Sequence, residues 1–103
     1  MAVQLTILER RDHTDRLELA NAALAACRIT RSQEGIVSSR FFWYGADTIV
    51  LLTEGEDSAL DAQTEAEGMK ALFNLFDSAR LTRNWRLIDP KEGAKNYLLA
   101  GRG

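Results

Sequence analysis

The stretch Arg40-Phe41-Phe42-Trp43-Tyr44-Gly45-Ala46-Asp47-Thr48-Ile49-Val50-Leu51-Leu52 decides how this chain folds. β-Branched and aromatic residues crowd both of its halves, and Gly45-Ala46 separates them as a short hairpin loop would. Strands are predicted over Ile36 to Tyr44 and Thr48 to Thr53. A two-residue loop sets Tyr44 opposite Asp47 and Phe42 opposite Ile49. Arg40, Phe42, Tyr44, Ile49 and Leu51 then share one face, and Val37, Phe41, Trp43, Val50 and Leu52 the other. A one-residue change in the loop exchanges one strand's set relative to its partner's, because side chains alternate with period two. Both faces are apolar in either register. A sheet covered by helices on one side needs only one apolar face, so a second cover is expected.

Before the hairpin, Val3, Leu5 and Ile7 alternate with Gln4 and Thr6, the pattern of a first strand with one apolar and one more polar face. Asp12 or Thr14 offers an N-cap, after which Leu17, Ala20, Leu24 and Cys27 recur at helical spacing. Arg28 and Arg31 suit the C-terminal dipole of that helix. After the hairpin, Asp57 or Ser58 opens a second helix with the apolar stripe Ala62, Ala66, Met69, Phe73, Phe76 and Ala79. Gly68 interrupts it, a substitution for alanine that costs about 1 kcal/mol within a helix. Leu81 to Ile88 reads as a last strand, with Arg83, Trp85 and Leu87 in one parity and Thr82, Asn84, Arg86 and Ile88 in the other. Asp89-Pro90 ends it.

The 103 residues make one domain, over residues 1–89, with 90–103 as a C-terminal arm whose Tyr97-Leu98-Leu99 is too apolar for a free tail. A composition 46% hydrophobic and 27% charged is that of a globular protein. A net charge of −2 argues against polyanion binding, and no apolar run approaches the roughly 20 residues that span a bilayer. The default location is cytoplasmic. The one cysteine, Cys27, sits among alanines and reads as a buried inert thiol.

The order strand, helix, strand, strand, helix, strand resembles the ferredoxin-like fold, an α+β sandwich with a four-stranded antiparallel sheet and two helices on one face. With its doubly apolar hairpin the chain more closely resembles the dimeric α/β-barrel superfamily, whose subunits pack their open sheet faces together. That resemblance implies a homodimer. It also implies one of several activities, among them small cofactor-independent monooxygenases of the antibiotic-biosynthesis type and isomerases or cyclases acting on ring compounds. Stress-responsive proteins and ligand-sensing modules share the fold, so a non-catalytic ligand-binding or assembly module is the alternative. In the monooxygenase-like branch the resemblance implies an apolar pocket in which a few polar and aromatic groups orient an aromatic or quinone-like compound and stabilise an anion.

Residues of suitable chemistry are Arg40, Tyr44, Asn84, Arg86 and His13, with Trp43 and Trp85 as candidate pocket walls. Each also has an ordinary role. The tryptophans fill cores, Tyr44 keeps its hydroxyl wet beside the turn, and Asn84 serves a structural hydrogen bond. Arg86 pairs with a carboxylate such as Asp89 or one from a second subunit. His13 is a solvated loop histidine, or a general base if a substrate comes within reach. Chemistry is expected around Arg40 and Tyr44, where polar side chains interrupt the apolar hairpin. The acidic run Glu54, Glu56, Asp57, Asp61, Glu65 and Glu67 reads as a helix start and lacks calcium-loop spacing. With one histidine and one cysteine no metal is expected, and no glycine pattern indicates a dinucleotide or other cofactor. The third strand lacks the aromatics of RNA-binding sheets, so no nucleic acid is expected. From Ser78 onward six basic residues stand against two acidic ones, an asymmetry suited to aligning two subunits.

Overall fold

The computed structural model describes residues 1–62 and 75–88. The arm 90–103, Asp89, Gly68 and the second helix's Ala66, Met69 and Phe73 lie outside the described residues. Strands β1 (Ala2–Arg10), β2 (Ile36–Tyr44), β3 (Thr48–Gly55) and β4 (Ala79–Ile88) form one sheet in the order β2-β3-β1-β4. All neighbouring pairs are antiparallel. Helix α1 (Arg16–Arg31) links β1 to β2, and α2 (Asp57–Ala62) follows β3, with residues 75–78 again helical before β4. This is the ferredoxin-like arrangement expected from the order of elements.

The hairpin corrects the register. Tyr44 pairs with Thr48 and Phe42 with Val50, so the loop holds three residues, Gly45, Ala46 and Asp47. Asp47 is drawn out of the ladder by the end of β1. Its carbonyl accepts from the Arg10 amide, and its carboxylate accepts from Arg10 Nε at 3.0 Å and Nη2 at 2.8 Å. Gly45, at φ 77°, turns the chain there. Arg40, Phe42 and Tyr44 therefore share a face with Val50 and Leu52, and Phe41 and Trp43 share the opposite face with Ile49 and Leu51. Val37 joins neither set. It sits at a register shift between Ile36 and Ser38 and is exposed.

The helices cover the face of Phe41, Trp43, Ile49 and Leu51. Their core gathers Leu8, Leu19, Ala23, Ala26, Cys27, Ile49, Leu51, Leu75 and Ala79. The buried stripe of α1 is thus Leu19, Ala23, Ala26, Cys27 and Thr30, rotated from the predicted one; Leu17 is 70% exposed and Leu24 50%. Beyond Leu19 the inner stripe is made of smaller side chains, Ala23, Ala26, Cys27 and Thr30, which let the helix lie close to the sheet. The cap is Asp15, whose carboxylate accepts from the Glu18 amide at 2.8 Å, not Asp12 or Thr14. At the start of α2 the Glu56 carbonyl accepts from the Leu60 amide, one residue before the predicted cap. β4 begins at Ala79, which the sequence places on the second helix.

Cys27 is buried, as expected. Burial pushes its thiol above the ordinary 9.0, against a hydrogen bond from Ser39 and the charge of Arg31. Folding thus favours the protonated thiol. Between the unfolded pKa and the higher folded one, the native state binds more protons than the unfolded state, so this contribution to stability is lost as pH rises through that window. At pH 7.5 Cys27 is expected to resist iodoacetamide in the native protein and to react in urea, as followed by mass spectrometry. Rapid alkylation of the native chain would contradict the buried placement.

Candidate functional site

The helix face of the sheet changes character from one end to the other. Near the hairpin a row across the sheet reads Trp43, Ile49, Leu8 and Leu81, all apolar. The next reads Phe41, Leu51, Thr6 and Asn84. The third, nearest the start of α2, reads Ser39, Thr53, Gln4 and Arg86. The polar parity of β1 therefore turns toward the helices, while Val3, Leu5 and Ile7 face the open side. A strand facing water would do the reverse.

Where these rows meet the helices lies a cavity of about 170 Å³. Ala26, Leu51, Leu60, Phe76 and Leu81 form its apolar wall; Gln4, Thr6, Thr30, Thr53, Asn84 and Arg86 form the polar one. The polar groups are joined. Arg86 Nε donates to Gln4 Oε1 at 2.7 Å, Gln4 Nε2 donates to Asn84 Oδ1, and the Thr6 hydroxyl donates to the same oxygen at 3.0 Å. Arg86 Nη1 meets Asp57 at 3.1 Å and Nη2 meets Asp61 at 2.9 Å. The expected carboxylate partner of Arg86 thus comes from α2 within the same chain. Ser39 and Thr53 hydroxyls pair at 2.9 Å at the buried end of the polar row.

The sequence candidates divide among three places. Asn84 and Arg86 line the cavity. Arg40, Tyr44 and Trp85 lie on the opposite, open face, so Arg40 and Arg86 do not converge on one enclosed space. The Arg40 guanidinium stacks 5.4 Å from the Phe42 ring centroid, and Tyr44 is 75% exposed at the rim of a shallow groove over Leu5, Ile7 and Val50. Trp43 packs edge-on against Phe41 at 6.4 Å beside the core, with Arg16 over its ring at 4.3 Å. Trp85 carries Arg83 over its ring at 5.5 Å.

His13 lies in a separate polar cleft with Glu9, Arg10, Arg11, Asp12 and Arg80. Its Nε2 sits 3.2 Å from the Asp77 carbonyl, and Arg11 Nε donates to the Phe76 carbonyl at 2.8 Å. These donors satisfy carbonyls at the C-terminal end of the helical residues 75–78, which is a structural task.

Gln4, Thr6, Thr30 and Thr53 were not singled out from the sequence. Their signal is faint: polar residues at alternate positions of a strand look the same whether they face solvent or a cavity. Arg86, at 29% side-chain exposure, is bonded to three partners, Gln4, Asp57 and Asp61.

The sequence matches no protein-family model and no curated protein. Its architecture recurs among solved structures. SnoaB, a cofactor-independent oxygenase from Streptomyces nogalater, matches with a TM-score of 0.74 at 10% identity, over 85% of this chain and 91% of its own. Rv0793 from Mycobacterium tuberculosis matches with a TM-score of 0.70 at 16% identity, over 85% and 93%. An antibiotic biosynthesis monooxygenase matches with a TM-score of 0.68 at 16% identity, over 86% and 97%. At these identities the likeness is one of fold: this chain has the ferredoxin-like α+β architecture found in antibiotic-biosynthesis-monooxygenase-type proteins.

Proposed function

We propose that this protein is a cofactor-independent monooxygenase acting on a small aromatic or quinone-forming ring compound held in the helix-side cavity. The observation that carries the reading is the cavity itself, an apolar slot with a bonded row of amide, hydroxyl and guanidinium groups along one wall. A ring compound that gives up a proton to solvent from a phenol or an activated carbon becomes electron-rich enough to react with dioxygen; one oxygen atom becomes the quinone carbonyl, the other leaves as water, and the ring's CH2 supplies the electrons. The protein's part is to orient the ring and stabilise the oxyanion with fixed donors. Asn84 and Arg86 have that chemistry, and the fold shared with SnoaB adds to the case. Tyr44 and Arg40, on the other face, do not act on a ring held here.

The test is oxygen consumption with 1,8-dihydroxyanthrone, followed with an electrode and by quinone absorbance. Asn84→Ala is expected to lower kcat about 10- to 100-fold, with the melting temperature nearly unchanged because Asn84 is exposed on an edge strand. Oxygen uptake no faster than without protein would favour the alternative, a ligand-binding or assembly module.

The working unit we propose is a homodimer in which a second copy covers the open face. Val3, Leu5, Ile7, Val50, Leu52, Phe42 and Leu87 make that face apolar across all four strands, and central β1 gives it its apolar parity. Among the described residues no helix is long and apolar enough to cross a membrane. The cytoplasm is the compartment we assign, a reducing setting that suits a lone thiol.

A further inference from the structure

We infer that Arg86 is a positioning residue that dictates the polarity of the cavity, and that the ligand must present a hydrogen-bond acceptor, a carbonyl or phenolate oxygen, to Asn84. The inference rests on the reading of the cavity as a ring-compound site and adds the polar group that the ring must carry.

A guanidinium has donors only. The atom of Gln4 that meets Arg86 Nε at 2.7 Å is therefore the carbonyl oxygen. With that oxygen held, Gln4 turns its Nε2 to the next strand position, where it donates to Asn84 Oδ1. Thr6 donates to the same oxygen at 3.0 Å. Each amide is oriented by the group before it, and the oxygen of the last one is filled. The Nδ2 group of Asn84, two N–H donors on a residue that lines the cavity, is left without a partner among the described residues. Rotating the Gln4 amide by half a turn would set its NH2 against the guanidinium. Rotating Asn84 would set NH2 against NH2.

Arg86 cannot swing aside to permit either rotation without leaving Asp57 and Asp61, at 3.1 and 2.9 Å on α2. The acidic pair thus has a task in the site although neither carboxylate lines the cavity: it anchors the charge that orients two amides. An oxygen acceptor on the ligand completes the relay. Asn84 is open to solvent, so water serves Nδ2 until a ligand displaces it; a hydrocarbon seated there returns no hydrogen bond and a donor group meets a donor, and both are penalised.

The probes are 1-tetralone, whose ring carries one carbonyl, and tetralin, its hydrocarbon counterpart, titrated into the full chain by heteronuclear NMR. The unaltered protein is expected to bind the ketone about tenfold more tightly than the hydrocarbon. Arg86→Met frees both amides to turn and is expected to bring that ratio close to one, with the loss falling chiefly on the ketone. Arg86→Lys, which still donates to Gln4, is expected to restore the preference. A purely structural role would weaken both probes together. Should Arg86→Met fail to fold, Gln4→Met breaks the relay at its middle without touching the ion pair, and the same loss of preference is expected. Retention of the tenfold preference in either methionine variant would overturn the assignment. Equal binding of ketone and hydrocarbon by the unaltered protein would overturn it while leaving the cavity as a ring site. If neither probe binds, the cavity reading falls as well.

Discussion

Val50→Asp is expected to sediment as an 11.5 kDa monomer at micromolar concentration, while the unaltered chain sediments at twice that mass. Val50 stands near the middle of the open face, opposite Ile7 on β1 and Phe42 on β2. In a dimer that closes the two open faces on each other, a carboxylate there would be taken out of water among Ile7 and Phe42. Burying such a charge costs several kcal/mol, as much as a sizeable share of a dimer's binding free energy. In the monomer the same carboxylate meets water and costs little, so the far-UV circular dichroism is expected to stay unchanged. An unaltered chain that sediments as a monomer, with its fold intact, would remove the proposed dimer.

Gly35→Ala is expected to destabilise the protein by about 2–4 kcal/mol, whereas Gly45→Ala costs about 1 kcal/mol, each read from urea melts. The two glycines share a left-handed backbone, at φ 87° and 77°. They differ in space. A Cβ on Gly45 meets nothing within 4 Å, while one on Gly35 falls 2.7 Å from the Cβ of Ala59 on α2. The difference between the variants therefore reports the overlap alone. Gly55 completes the contact, since a Cβ there would lie 2.6 Å from the Gly35 carbonyl oxygen, which accepts from the Glu56 amide at 3.0 Å. This close approach seats the first turn of α2, and with it the carboxylates that hold Arg86. Equal costs for the two variants would show that α2 yields freely and does not depend on Gly35.

Element identity was legible in the residues because it depends on local periodicity. β1, α1, the hairpin strands and β4 stand where alternation or helical spacing puts them, and the parity of β4, with Trp85 opposed to Asn84 and Arg86, needs no tertiary information. The rotation of α1 was not legible. Leu17 and Leu24 are larger and more apolar than Ala23 and Ala26, yet the alanines join Leu19 on the sheet side, because there the closeness of packing outweighs the hydrophobicity of single side chains. The polar residues of β1 carried only a faint signal, because Gln4 and Thr6 acquire meaning only once it is known which face the helices cover.

The residues alone determined a four-stranded α+β sandwich, a hairpin apolar on both faces, and the presence of Asn84 and Arg86 in one parity of the last strand. Tertiary structure decided the rest. The hairpin loop gained its third residue because Arg10, 37 positions away, draws Asp47 out of the ladder. Gln4 meets Asn84 across 80 positions of sequence, and Arg86 meets Asp57 and Asp61 across 29 and 25. Local propensity sees only a few neighbours along the chain, so it can name strands and helices. It cannot say which distant polar groups the closing of the sheet will bring within a hydrogen bond of one another.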